Sequence, residues 1–598
     1  MSQLDSTDFP SSLDRDSRSR FTYRDLKNLG RASTTCPLRV IALVDFDAFY
    51  AQCETVRLGL PQDQPLCVQQ FNAIIALNYA AKAAGIKRGI APDQAKLKCP
   101  TVFLQHVATW REGDTSWAYR PDANKLVETD KAALDPYRLQ SRKAFDLIKT
   151  KLPPPPVQKV EKASIDEVFL DLSAQVYATI LQHYSGLLSD LEHADNDSFL
   201  PLPETTLLAW QTDKLIAVDP GAEVDPPDWD DVALNIGSEV VRGIRQALYD
   251  ETKYTCSAGI AHNKTTAKLA AGHNKPNQQT VVRARAVGAF FADYKFTKIR
   301  GLGGKLGQQV VKAYDTDQIS ELLKVSLQDM RNKIGSSAPW IYNVIRGLEY
   351  SEVVERTQLQ SMLAQKTFQP RAQNLEHAEK WLRIFAGDLM GRLEEQDAAS
   401  RTRRPRAIAL HHAIDGRFGP TKSKQMQIPP GVEINAKLLF DLSRTLLVQI
   451  SREGPAFPCL EFSISLNDFQ NEITGNHQMT SFFRPQARIT EVSAEEGDPG
   501  HAAMGDIHEP SGSTKRKRDS LDLVPSTASK RVEKSSASAD KYDPGGRSDL
   551  ETDHQLGTTC EEKSEADLYC CPTCNAYLDN ASVLEHLDWH VAKELEGR

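Results

Sequence analysis

Val40-Ile41-Ala42-Leu43-Val44-Asp45-Phe46-Asp47-Ala48-Phe49-Tyr50 is the stretch on which the reading turns. Its aliphatic, β-rich start reads as a strand buried on both faces of a sheet. The strand then delivers a carboxylate, Asp45, where no apolar core would tolerate an unpaired charge. On an extended backbone Asp45 and Asp47 share one face, roughly 7 Å apart, with Phe46 on the other. Such an edge suits a pair of divalent ions ~4 Å apart, held by carboxylates and a backbone carbonyl as hard oxygen donors.

A second acidic strand raises the odds. Ser164-Ile165-Asp166-Glu167-Val168-Phe169-Leu170-Asp171-Leu172 is β-rich and opens on adjacent carboxylates. Adjacent side chains diverge on a regular strand, so Asp166 and Glu167 converge only at a turn or bulge. Two strands presenting acids at one edge make a two-metal phosphoryl-transfer site the leading reading. A solvated acidic turn is the bland one.

Basic and aromatic groups lie between and after these strands. Asn78 to Ala84 reads as a helix stopped by Gly85, with Tyr79 and Lys82 on one face. Lys264 and Lys268, at i and i+4 on a helix spanning Asn263 to Ala271, share a face, and Lys275 lies past the stop at Gly272. A basic helical face is usually only solvated, but with acids nearby a phosphate role is favoured. Lys298 to Gly307 holds four glycines, which let backbone N–H groups approach a phosphodiester, and two lysines, which supply charge.

Asp45-Phe46-Asp47-Ala48-Phe49-Tyr50, Asn78-Tyr79-Ala80-Ala81-Lys82, Ser164-Ile165-Asp166-Glu167 and the run from Cys256 to Asn277 together resemble the Y-family translesion DNA polymerases, over residues 38–470. The resemblance implies template-directed DNA synthesis past damaged bases, such as UV photoproducts. It assigns Asp45, Asp166, Glu167 and the Phe46 carbonyl to two Mg²⁺ ions (Mn²⁺ being possible), with Asp47 in a supporting role. It places Tyr79, Lys82, Arg88 and Lys275 on the incoming deoxynucleoside triphosphate, Tyr50 under its sugar, and Gln70 against the template base. The implied architecture is multidomain, α/β and α+β. Residues 1–35 form a disordered segment and 36–295 the palm and fingers, with the fingers at about 60–135 and an insertion at about 185–235. Residues 296–364 form the thumb, 365–468 the little finger, 469–565 a disordered linker and 566–598 a ββα-type zinc finger. Within the fingers, residues 105–135 read as an inserted loop.

Composition bounds the rest. A net charge of −8 over 598 residues argues against a uniformly basic nucleic-acid binder, so a DNA channel must be a local patch. Arg401, Arg403, Arg404, Arg406, Lys422 and Lys424 supply one in the little-finger region. No run of 18 apolar residues suggests a membrane span. Ten cysteines, mostly scattered, fit a reducing compartment.

The tail carries three further signals. Met479, Phe482 and Phe483 resemble a motif that docks on the sliding clamp, although Asn476 stands where a glutamine is usual. Lys515-Arg516-Lys517-Arg518 resembles a nuclear-import signal, which places the protein in the nucleus. Cys571-x₂-Cys574 followed by His586-x₃-His590 fits one tetrahedral Zn²⁺. Cys570 is a rival ligand. The finger's helix offers Glu585, Asp588 and Glu594, which DNA would repel. With Ala592 a turn beyond Asp588, it resembles a ubiquitin-binding zinc finger. The non-catalytic alternative, a ubiquitin- and DNA-binding scaffold, is disfavoured by the intact acids and by Tyr79, Lys82 and Lys275. Another Y-family member with a different lesion preference is the enzymatic alternative.

Overall fold

The computed structural model describes residues 18–204, 208–216, 226–355, 359–398, 403–414, 421–471, 568–570 and 577–579. The clamp-like motif, the basic run 515–518 and the zinc-ligand candidates Cys571, Cys574, His586 and His590, with Asp588 and Ala592, lie outside these residues.

A mixed six-stranded sheet is the centre. Its order is Lys214–Leu215, Gln279–Val281, Cys256–Ala261, Ile41–Phe46, Glu167–Asp171, Lys159–Lys162. Ile41–Phe46 lies inside, antiparallel to both neighbours, and its first four residues are fully buried. That position explains the continuous apolar run, since both faces are covered by helices. One face carries Trp229–Thr252, the other Lys264–His273.

Two sequence expectations change here. The Ser, Asp and Arg content of residues 1–35 predicts disorder. Residues 18–22 instead form a strand paired with Phe199–Pro201, and Tyr23–Gly30 is a helix. Thr22 and Asp25 make a reciprocal capping box, and Leu26 and Leu29 are fully buried. The 185–235 insertion is likewise no mere peripheral elaboration. It supplies the partner of that N-terminal strand and the edge strand Lys214–Leu215.

Leu66–Gln70 pairs with Ala73–Leu77 and Phe103–His106 in a small separate sheet. Past it, 105–135 is not a bare loop. Ala108–Trp110 pairs with Lys131–Ala133, and Trp110 is buried in one core with the strands and helices of residues 361–471. Residues 296–348 are helical, with short helices at Lys305–Tyr314, Leu327–Ile334 and Ala338–Val344. The last unit has four antiparallel strands, ordered Ser361–Ala372, Cys459–Asn471, Arg403–Ala413, Thr421–Gln427, under helices Leu375–Ala398 and Ala436–Arg452. The elements expected near 375–393, 407–411, 436–451 and 459–466 all lie within these. Leu568–Cys570 pairs antiparallel with Tyr577–Asp579, which bracket Cys571 and Cys574 in sequence. No helix among the described residues is long and apolar enough to cross a membrane.

Candidate active site

The antiparallel register sets Asp45 directly opposite Glu167, and the Phe46 N–H donates to the Asp166 carbonyl at 3.0 Å. Like charges directly opposite on a sheet repel. A fold that places them so needs a cation there. The bend before Glu167 leaves Asp166 within electrostatic reach of Asp45 and Glu167, and Ser164 organises it. Its Oγ donates to Asp166 Oδ1 at 2.5 Å and accepts from the Asp166 and Glu167 N–H groups at 3.2 and 3.1 Å.

The electrostatics follow from crowding. Burial, with Glu167 and Asp166 adding to it against the pull of Lys275, pushes the Asp45 carboxyl up to about 7. Burial and Glu167 also raise Asp166. Glu167 goes the other way: burial opposes ionisation, but the ammonium of Lys268 at 2.6 Å, with Lys275 and Arg300, holds it down. Lys275 is bound to Asp45, and despite burial that charge raises its pKa. Two lysine ammonium groups thus sit on the acids.

That arrangement is the test of a metal site. Asp45 and Glu167 on adjoining strands, with Asp166 just before the second, are hard donors that fit divalent ions in kind, and the lysines mark where positive charge is required. Among the described residues no three such ligands already converge on one point; Asp45 and Glu167 each pair with a lysine.

Asp47, equal to Asp45 on strand geometry, is elsewhere. The strand ends at Phe46 and Ala48 turns left-handed (φ 47°), which points Asp47 inward. There it accepts from Ser257 Oγ at 2.7 Å and from the Asn277 N–H at 2.8 Å. Asp47 therefore anchors the turn that carries Lys275. Lys264 also departs from the phosphate expectation: it pairs with buried Glu161 at 2.7 Å.

The remaining candidates surround the acids. Tyr50, on the first turn of helix Phe49–Leu58, stacks on Tyr137 with centroids 4.2 Å apart and planes 11° apart. Tyr137 donates to buried Glu54 at 2.6 Å; nothing in the sequence signalled this support. Asn78 caps helix Tyr79–Ala83 through the Ala81 N–H, as its residue type suggests. Lys82 is exposed and its Nζ is 5.9 Å from the Tyr79 ring centre. Burial raises the Tyr79 hydroxyl above its usual range, and the charges of Asp47 and Asp45 add to that. Tyr79 is therefore within electrostatic reach of the acids. Arg88 is half-buried, its Nε without a hydrogen-bond partner among the described residues. Gln70 ends its strand half-buried. In the basic patch, Arg403 is engaged with the Leu359 and Phe469 carbonyls and Lys424 with Glu453.

Comparison with known proteins gives these positions a context. Residues 44–272 match the impB/mucB/samB family and residues 359–481 its C-terminal domain. Residues 296–348 match the HhH motif of DNA polymerase eta and Rev1, and residues 567–597 the ubiquitin-binding zinc finger. A Schizosaccharomyces pombe protein named N-acetyltransferase eso1 is 33% identical over 97% of this chain. The chain spans 65% of that protein's length, and the activity in the name belongs to that protein. DNA polymerase eta of Saccharomyces cerevisiae is 29% identical, over 75% of this chain and 80% of its own length. DNA polymerase eta of Drosophila melanogaster is also 29% identical, over 77% of this chain and 52% of its own. The chain is thus built from the domains of the Y-family DNA-directed DNA polymerases, and most of its length aligns with DNA polymerase eta.

Proposed function

We propose that this protein is a translesion DNA polymerase, extending a primer past damaged template bases, UV photoproducts among them, by two-metal nucleotidyl transfer. The observation that carries the reading is the opposition of Asp45 and Glu167, with Asp166 joined to them through the turn at Ser164. On this reading the central sheet is a palm, the sheet around Leu66–Gln70 the fingers, residues 296–348 the thumb and residues 361–471 a little finger riding on duplex DNA. Asp45, Asp166, Glu167 and the Phe46 carbonyl are the residues that would hold two Mg²⁺ ions, or Mn²⁺. Those ions would lower the pKa of the primer 3′-hydroxyl and neutralise charge on the leaving pyrophosphate.

The chain's own residues bind and orient. Lys275 holds Asp45 in the free protein and turns to triphosphate oxygens when nucleotide arrives, and Asp47 keeps its turn in place. Tyr79, Lys82 and Arg88 grip the same triphosphate, and the orphaned Arg88 Nε is a donor ready for it. Gln70 meets the template base. Tail recognition is part of the proposal. Cys571, Cys574, His586 and His590 hold one Zn²⁺, and Asp588 and Ala592 face ubiquitin. Met479, Phe482 and Phe483 engage the sliding clamp, and Lys515, Arg516, Lys517 and Arg518 direct the chain to the nucleus.

Primer extension on a template carrying a thymine dimer, beside an undamaged one, tests the reading. Comparable extension on both is expected. Arrest at the dimer alone would remove the lesion-bypass assignment, and no extension on either template would remove the polymerase itself.

Sugar selection gives a second expectation. Tyr50, braced by Tyr137, stands where a ribose 2′-hydroxyl would collide with it. Tyr50→Ala should raise ribonucleotide over deoxyribonucleotide incorporation by about ten- to two-hundredfold, the range for a pocket that loses one steric element. Single-nucleotide insertion kinetics measure the ratio. An unchanged ratio with lowered stability would make Tyr50 an ordinary core aromatic.

A further inference from the structure

The residue after Gln70 is held from two directions. Phe71 is a non-glycine residue with φ +51°, a conformation that persists only where its surroundings impose it. Its N–H donates to His106 Nε2 at 2.8 Å, so His106 carries its proton on Nδ1, which donates to the Val107 carbonyl at 2.8 Å. The Phe71 carbonyl accepts from Gln69 Nε2 at 2.7 Å. Gln69 and His106 both belong to the small sheet that Phe71 follows. The other comes from a residue 295 positions away in sequence: Lys366, on the strand Ser361–Ala372, places its ammonium 4.3 Å from the Phe71 ring centre.

Lys366 is itself fixed. Its Nζ donates to the carbonyls of Val127 and Asp130 at 2.7 and 2.8 Å and lies 5.0 Å from the Trp381 ring centre. It is 8% exposed, so the cation faces an aromatic ring with little water to compete. The units on either side are seated tightly. Trp110 packs against Gly391, where an added Cβ would come within 3.3 Å of the indole. Beside it, buried Lys131 pairs with Asp388 at 2.7 Å and Arg392 bridges Asp388 and Asp135 at 2.8 and 3.1 Å. These pairs join the two units, and in this arrangement Lys366 presses on the residue next to Gln70.

We propose that Lys366 is a positioning residue for the template contact: the seating of the C-terminal domain sets, through Lys366 and Phe71, where Gln70 stands over the template base. This rests on the reading of Gln70 above. It gives the long 105–135 segment a purpose, since Val127 and Asp130 are what hold Lys366 in place.

A double-mutant cycle separates the possibilities. Lys366→Met keeps the stem and removes the charge and both donors; Lys366→Arg restores a cation. Single-nucleotide insertion opposite an undamaged base and opposite a thymine dimer is measured for Lys366→Met, Gln70→Ala and the pair, with primer–template affinity and melting temperature alongside. Lys366→Met should lower kcat on the order of tenfold or more, as small misplacements of a contacting group do. Primer–template affinity should hold, Lys366→Arg should recover most of the loss, and the pair should be no slower than Gln70→Ala alone. Additive losses, or a wild-type rate in Lys366→Met while Gln70→Ala is slow, would overturn the proposal. A wild-type rate in Gln70→Ala would bring down the Gln70 assignment first and the proposal with it. Should Lys366→Met melt far below wild type, Phe71→Leu takes its place, removing the ring face while keeping apolar bulk; it must then show the same non-additivity.

Discussion

Asp166→Ala/Glu167→Ala protein is expected to bind primer–template nearly as wild type and to extend it at no more than background. The acids are asked to hold ions and orient a 3′-hydroxyl, whereas affinity for DNA rests on phosphate contacts made elsewhere along the duplex. Folding should be little affected. Removing two carboxylates relieves the repulsion that adds to burial in raising Asp45. Against that stands the loss of the Ser164–Asp166 hydrogen bond and of the Lys268–Glu167 pair, in which Lys268 keeps 31% of its side chain in solvent. These terms oppose one another, each about 1 kcal/mol or less for partly solvated groups. A melting temperature within a few degrees of wild type is therefore expected beside lost activity, the pattern of residues kept for function at some cost in stability. Fluorescence anisotropy on labelled primer–template and a gel-based extension assay give the two readouts. Extension above a few per cent of wild type would remove these acids from the chemistry. A collapse in stability would make them structural.

What was legible in the sequence was local. Val40 to Val44 announced a strand buried on both faces because five apolar residues in a row leave no solvated face. Gly85 and the spacing of Tyr79 and Lys82 announced a short helix, with Asn78 proving to be its cap and not its first residue, because such signals lie within one turn. Ser164 two residues before Asp166 was readable in the same way, as a side chain that closes its own turn. Asp47 was misplaced by strand periodicity because periodicity ends with the strand, one residue too early. Residues 18–30 were misjudged by composition, although Thr22 with Asp25 and Leu26 with Leu29 carry a helix start and an apolar stripe. Other features are set by register or by distant partners. The Asp45–Glu167 opposition depends on which residues pair across two strands some 120 positions apart. Segment 105–135 hides its role in polar composition, since the glycines that admit Trp110 lie on helix Leu375–Ala398.

Gly259→Ala should be among the most damaging single changes in the chain, though it adds only a methyl group. Gly259 sits in Cys256–Ala261, opposite Leu43 on one side and Thr280 on the other, with helix Lys264–His273 crossing directly over its buried Cα. A Cβ there would lie 2.1 Å from the Ala267 carbonyl oxygen and 2.3 Å from the Ala271 nitrogen. Both are backbone atoms, so no side-chain rotation relieves the clash and the helix itself must back away. Overpacking of a tight core costs about 1–3 kcal/mol and more where backbone must shift, and the upper end is expected here. The displaced helix carries Lys268 and leads directly to Lys275, the two cations seated on Glu167 and Asp45. A shift of about 1 Å in such groups can cost on the order of a hundredfold in rate, so activity should fall further than the folded fraction alone explains. Gly272→Ala is the control, since the helix runs through Gly272, expected to be its stop, and ends at His273. Nothing lies within 4 Å of the Cβ it would add, and alanine is favoured over glycine in a helix by about 1 kcal/mol. Urea denaturation should separate the two variants by several kcal/mol in opposite directions from wild type, with insertion kinetics read at a urea concentration where both remain folded. A Gly259→Ala protein as stable and active as Gly272→Ala would mean that strand and helix are not in contact as described, and the placement of Lys268 and Lys275 over the acids would fall with it.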